Sequence, residues 1–151
     1  MKYIEYTIEH FAADVTLLHT WIKMSNKQYD KVVGIARGGL PLATALSYKL
    51  NVPLDVIFWQ TRGTSNKVMN TFLAEEIALG KRILLVDDII DSGVAMKEIK
   101  ESFGIDATSN VDIAVLYYNV AQSVKPTYAV RPIDRTTETR WINFWWENVN
   151  V

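Results

Sequence analysis

The 151-residue chain contains no cysteine, which excludes a disulfide framework and thiolate chemistry and fits a reducing cytoplasm. It also lacks a charge excess. Sixteen Lys+Arg stand against seventeen Asp+Glu, a formal net charge of −1, so no broad basic field invites nucleic acid or an anionic membrane. Any phosphate bound here must be held by local geometry. Long apolar runs are missing too, and no stretch is long enough to span a bilayer. The opening MKYIEYTIEHFAAD carries glutamates and a histidine where a secretory leader needs an unbroken apolar segment, so no leader is expected. Repeats, low-complexity tracts and Gly/Ser-rich linkers are likewise absent, and one domain over residues 1–151 is the expected organisation.

What is present is material for a core. Apolar residues make up 49% of the chain and charged residues 22%. A domain of this size buries about two-thirds of its unfolded surface. Phe11, Val15, Leu18 and Ile22 recur at helical spacing, with Asp14 and Lys23 off that face, which predicts an amphipathic helix from about Ile8 to Met24. KVVGIA (Lys31 to Ala36) reads as a buried strand. It runs into Arg37-Gly38-Gly39, and Pro41 then stands in the first turn of a helix to about Leu50. LDVIFW (Leu54 to Trp59) is a second strand, followed by a polar stretch from Gln60 to Asn70. RILLV (Arg82 to Val86) is a third, leading into Asp87-Asp88-Ile89-Ile90-Asp91-Ser92-Gly93 and a helix to about Ser102. Val111 to Tyr118 and Thr127 to Val130 complete the strand pattern. Short apolar strands alternating with helices predict an α/β fold, a mostly parallel twisted sheet flanked by helices. Ligands of such sheets gather at the carboxyl ends of the strands, where both polar loops sit.

Adjacent aspartates after a buried strand repel each other unless a cation or hydroxyl donors share the site. A ribose diol with Mg²⁺ supplies both. Ser92, Gly93 and the next amides stand at a helix N-terminus, where unpaired N–H groups favour a phosphate. A plainer alternative is that Asp91 or Ser92 merely caps the helix, with Asp87 and Asp88 as solvated charges. Paired acids also follow a strand in phosphoacceptor receiver domains, but there they follow the first strand, and here they lie past mid-chain. In ARGGL, the arginine fork and two flexible glycines would let backbone amides approach a diphosphate. Alone, that loop is equally explained as turn chemistry before a helix.

ILLVDDIIDSG (Ile83 to Gly93) resembles the signature of the type I phosphoribosyltransferases, and the resemblance extends from roughly Tyr3 to Glu147. Length and element order are closest to the short bacterial xanthine-guanine and hypoxanthine (6-oxopurine) enzymes. The resemblance implies a small C-terminal hood, mainly about residues 131–151. It also implies Mg²⁺ as cofactor, and phosphoribosyl pyrophosphate and a nucleobase as substrates, as in purine salvage. Asp87 and Asp88 become the diol and metal pair, and Asp91 the general base. Residues 91 to 95, Asp91, Ser92, Gly93, Val94 and Ala95, become the phosphate cradle, and a substrate contact is also expected at Ile90. The family commonly has a second glycine and a threonine where Val94 and Ala95 stand. Losing that hydroxyl removes a donor worth roughly 1.5–3 kcal/mol if fully used.

Arg37, with Ala36, Gly38 and Gly39, corresponds to the pyrophosphate loop, with Arg37 facing the leaving group and a strained peptide expected at Ala36-Arg37. Gln60 to Asn70 matches the flexible loop that closes over substrate, with Arg62 or Lys67 reaching the diphosphate. RWINFWWE (Arg140 to Glu147) resembles the hood end, where Trp141 would stack on the base and Ile142 would contact it. Glu147 takes the family's acidic position, bearing on the base or its metal only indirectly. Trp145 and Trp146 are expected in the core or a subunit contact. The lysine that reads the exocyclic oxygen in 6-oxopurine enzymes is missing. Tyr117-Tyr118-Asn119-Val120 stands there, and Asn119 is the candidate reader. A pyrimidine acceptor, or a regulator sensing phosphoribosyl pyrophosphate without catalysis, stays open. Family habit and the tryptophan-rich tail suggest a homodimer or homotetramer.

Overall fold

The computed structural model describes residues 2–60 and 66–147. Thr7 opens the first helix, α1 (Ile8–Met24). Its hydroxyl accepts from the His10 amide while the His10 ring accepts from the Thr7 amide, a reciprocal cap. Pro41 stands in the first turn of α2 (Leu40–Leu50), and Asn51 ends that helix with φ 54°. Gly93 (φ 80°) and Gly104 (φ 65°) bracket α4 (Val94–Phe103). The remaining helix, α3 (Leu73–Ala78), spans six residues, under two turns, too short for apolar spacing to announce it.

Strands β2 (Lys31–Ala36), β3 (Leu54–Phe58), β5 (Ile83–Val86), β7 (Val111–Asn119) and β8 (Tyr128–Ile133) pair in parallel in the order β3-β2-β5-β7-β8. A two-residue β4 (Lys67–Val68) runs antiparallel on the β3 edge. The expected α/β class with a mostly parallel sheet is the one found. Alternate residues of each central strand go to opposite sides, and both sides are covered. Val32, Leu84, Val86, Ala114 and Leu116 pack with α1 and α2. Val33, Ile35, Leu85, Ile113 and Val115 pack with α3 and α4. This explains why these strands read as continuous apolar runs. Gly34 belongs to the close approach of β2 and α2, since a Cβ there would lie 2.7 Å from that of Ala43.

The tail forms β9 (Trp141–Phe144), which pairs in parallel with β1 (Tyr3–Tyr6) as a separate two-stranded sheet. A turn of 3₁₀ helix over Trp145–Glu147 follows. Tyr6, Tyr117, Phe144 and Trp146 meet largely edge-to-face, and Phe11 touches both Trp145 and Trp146. Trp145 and Trp146 thus pack on the core. Asp14 corrects the reading of α1. Only 3% exposed, it faces inward and takes a two-point grip from Arg131, 2.7 and 3.1 Å, with the Tyr6 hydroxyl donating at 2.8 Å.

Candidate active site

The chain moves from β2 to β3 on one side and returns to β5 on the other, so the carboxyl ends of β2 and β5 flank the point where strand order reverses. The 36–39 loop leaves β2 there, and the 87–93 loop leaves β5. The Ala36-Arg37 peptide is cis. The two loops touch so closely that side chains are excluded between them. A Cβ at Gly38 would lie 2.2 Å from the Asp88 carboxylate, and one at Gly39 2.6 Å from the Val86 carbonyl. Both glycines are therefore required by the neighbouring loop, which turn chemistry alone does not explain.

At Asp87-Asp88 the β5–β7 ladder breaks. The Asp88 carbonyl accepts from both Leu116 and Tyr117, and pairing resumes at β6 (Ile89–Ile90). This break, with no change of register, leaves two adjacent carboxyls in a partly enclosed site. Asp87 accepts from the Asp88 amide and Asp88 from the Ile89 amide. Burial first, then the neighbouring Asp88 charge, hold the Asp87 carboxyl well above the ordinary carboxylate range. Burial also raises Asp88, against the pull of its hydrogen bonds. Such a pair has unsatisfied demand for positive charge and fits a hard divalent cation. Among the described residues no group of three or more His, Cys, Asp or Glu could hold a metal, so Mg²⁺ here would complete its shell with substrate oxygens and water.

Beyond this break, Asp87, Ile89, Asp91, Ser92, Gly93 and Ala95 line a cavity of about 140 Å³ at the start of α4. The Ile90 side chain lies mainly in the core cluster under α4. Ser92 Oγ accepts from the Val94 amide at 3.3 Å. Arg37 lies between two larger depressions. One, about 850 Å³, is lined by Ala36, Arg37, Trp59 and Lys67, which places Lys67 on the Arg37 side. Arg62 lies outside the described residues. The other, about 760 Å³, brings Gly38, Asp88, Trp146 and Glu147 together. Burial and the Asp88 charge raise the Glu147 carboxyl, opposed by hydrogen bonding to Trp141. Trp141 leaves 60% of its surface exposed. Ile142 sends its side chain into the core, so only its backbone is available to a ligand.

Asn119 corrects the expected base reader. It is 3% exposed, its amide donates to the Asp91 carbonyl at 3.2 Å, and its oxygen accepts from the amides of Ala121 and Arg135. That carboxamide holds loops together. Arg135 was missed. Its Nε and Nη2 grip the two Asp91 oxygens at 3.0 and 3.2 Å, and its Nη1 donates to the carbonyls of Glu138 and Arg140. Forty-four residues separate the partners, and no local pattern announces the pair.

A family model described as a phosphoribosyl transferase domain matches residues 5–148. A hypoxanthine/guanine phosphoribosyltransferase from Methanohalobium evestigatum is 29% identical over 112 residues, 68% of this chain and 58% of the relative. A transcriptional regulator from Methanococcus maripaludis is 33% identical over 78 residues, 50% of this chain and 38% of the relative. The chain thus spans little more than half the length of the first of these relatives, and less of the second. Among solved structures, a purine phosphoribosyltransferase from Pyrococcus horikoshii superposes with a TM-score of 0.79 at 27% identity, covering 100% of this chain and 98% of the other.

Proposed function

Because the chain belongs to the phosphoribosyl transferase domain family, we propose that it transfers the 5-phosphoribosyl group from phosphoribosyl pyrophosphate to a nucleobase, a 6-oxopurine, and releases diphosphate. The observation that carries this reading is the contact between the two loops. Gly38 lies against the Asp88 carboxylate, so a diphosphate-binding backbone and a diol-binding pair face one space. The similar purine enzyme, covered almost end to end, supports a purine acceptor.

In this reading Arg37, whose guanidinium has no hydrogen-bond partner among the described residues, neutralises the departing diphosphate. The C1–O bond to diphosphate breaks as the base nitrogen forms the new C–N bond, and the ring proton is accepted at Asp91. Asp87 and Asp88 hold the ribose hydroxyls and Mg²⁺, which when bound would offset charge on the diphosphate oxygens. Amides at the start of α4 hold the 5′-phosphate.

Diphosphate release from phosphoribosyl pyrophosphate and Mg²⁺, against guanine, hypoxanthine, xanthine, adenine, uracil and orotate, tests this. Release with one or two 6-oxopurines is the expected result. The regulator among the relatives favours one second reading, a sensor of phosphoribosyl pyrophosphate that also binds nucleic acid. Silence across all bases, with salt-dependent nucleic-acid binding, would establish it instead.

A further inference from the structure

Two acid–base pairs lie near the base end, Arg140 with Glu138 and Arg135 with Asp91, and the second holds a residue of the acidic loop. Asp91 has both oxygens held by Arg135, in a grip with side-chain exposures of 40% and 18%. Arg135 is itself pinned from three directions. Its amide donates to Asn119, and its Nη1 donates to the carbonyls of Glu138 and Arg140, the latter next to Trp141. Asn119 in turn donates to the Asp91 carbonyl. One arginine and one asparagine therefore fix both the backbone and the carboxylate of Asp91, and tie it to the strand carrying the stacking ring. A carboxylate has about four lone-pair sites. Arg135 occupies two, which leaves one on each oxygen for a ring N–H.

We infer that Arg135 is a positioning residue for glycosyl transfer: its planar grip fixes the Asp91 carboxylate as a hydrogen-bond acceptor for the ring N–H of the incoming base, in register with Trp141. This inference rests on the transferase reading above. Arg135 acts through Asp91 and has no part in holding phosphoribosyl pyrophosphate. An aspartate free to rotate would accept the same proton from many poses, and misplacement at a reacting centre of about 1 Å costs on the order of 100-fold in rate. Lysine keeps the charge but cannot reproduce a two-point fork.

The test is a cycle of Arg135→Met, Asp91→Asn and the double variant, with Arg135→Lys beside them, reading kcat and KM for base and for phosphoribosyl pyrophosphate, and the melting temperature. Arg135→Met should lose roughly 10- to 100-fold in kcat in the wild-type background. It should lose almost nothing further in the Asp91→Asn background, because coupled residues are not additive. KM for phosphoribosyl pyrophosphate should stay within a few-fold. Arg135→Lys should melt somewhat lower but stay folded at the assay temperature, with kcat still depressed, which separates misorientation from misfolding. The same loss in both backgrounds, or wild-type turnover in Arg135→Lys, would overturn the inference while leaving the transferase reading intact. A wild-type chain that releases no diphosphate with any base overturns both.

Discussion

At the scale of the residue, the acidic pair is the most demanding arrangement in the molecule. Asp87 and Asp88 are adjacent, partly enclosed, and each other's worst neighbour, with carboxyls raised above the ordinary range. The folded chain therefore binds more protons than the unfolded chain as pH rises above the usual aspartate range. Stability falls through that window and is fully present only below it. Without divalent cation, the pair's own contribution to the melting temperature should decline as pH rises from about 4 upward, against the opposite slope of Glu76 and Glu138, whose carboxyls lie below the ordinary range. Asp87→Asn should flatten the decline and melt higher at neutral pH, roughly 2–4 °C for each kcal/mol recovered. The same variant should lose diphosphate release. A thermal melt series with and without Mg²⁺ checks this, and an unchanged pH slope in Asp87→Asn would remove the pair as its source.

At the scale of the element, Asn119 ends β7 by joining three pieces of chain: the Asp91 loop, the turn at Ala121 and the tail at Arg135. Asn119→Ala should cost about 1–3 kcal/mol in urea unfolding for the partners left unsatisfied. Turnover should fall because Asp91 loosens. If instead Asn119 reads the base, stability will hold and the base KM alone will rise. Local signals made most elements legible. α1, β2 and α2 follow from apolar spacing, an apolar run and Pro41, and the two loops from glycine and aspartate between strand and helix. The sequence reading left out β1, α3, β6 and β9, each six residues or fewer, too short for a period to show. The misreadings of Asp14 and Asn119, and the omission of Arg135, share one cause. Each is a polar side chain with at least one partner 16 or more residues away, 117 for Asp14 and Arg131, which only tertiary packing brings to it.

At the scale of the whole molecule, the sheet is covered on both faces while the loops at its carboxyl end are held mainly by one another. Ligand should therefore add stability in proportion to its occupancy. Phosphoribosyl pyrophosphate with Mg²⁺ at about 100 times its Kd should contribute about 2.7 kcal/mol, read as a melting shift of roughly 5–10 °C. Base added alone should shift it little. The β1–β9 pairing has a different consequence, for synthesis. Its partners Glu5 and Asn143 lie 138 residues apart, and both strands end at the aromatic cluster of Tyr6, Phe144 and Trp146. On the ribosome, β1 has no partner until Trp141–Phe144 has cleared the exit tunnel. Closure of this face therefore waits for β9, while the β2–β5 sheet can assemble earlier. Emission from the tryptophans at 141, 145 and 146 would mark that last step.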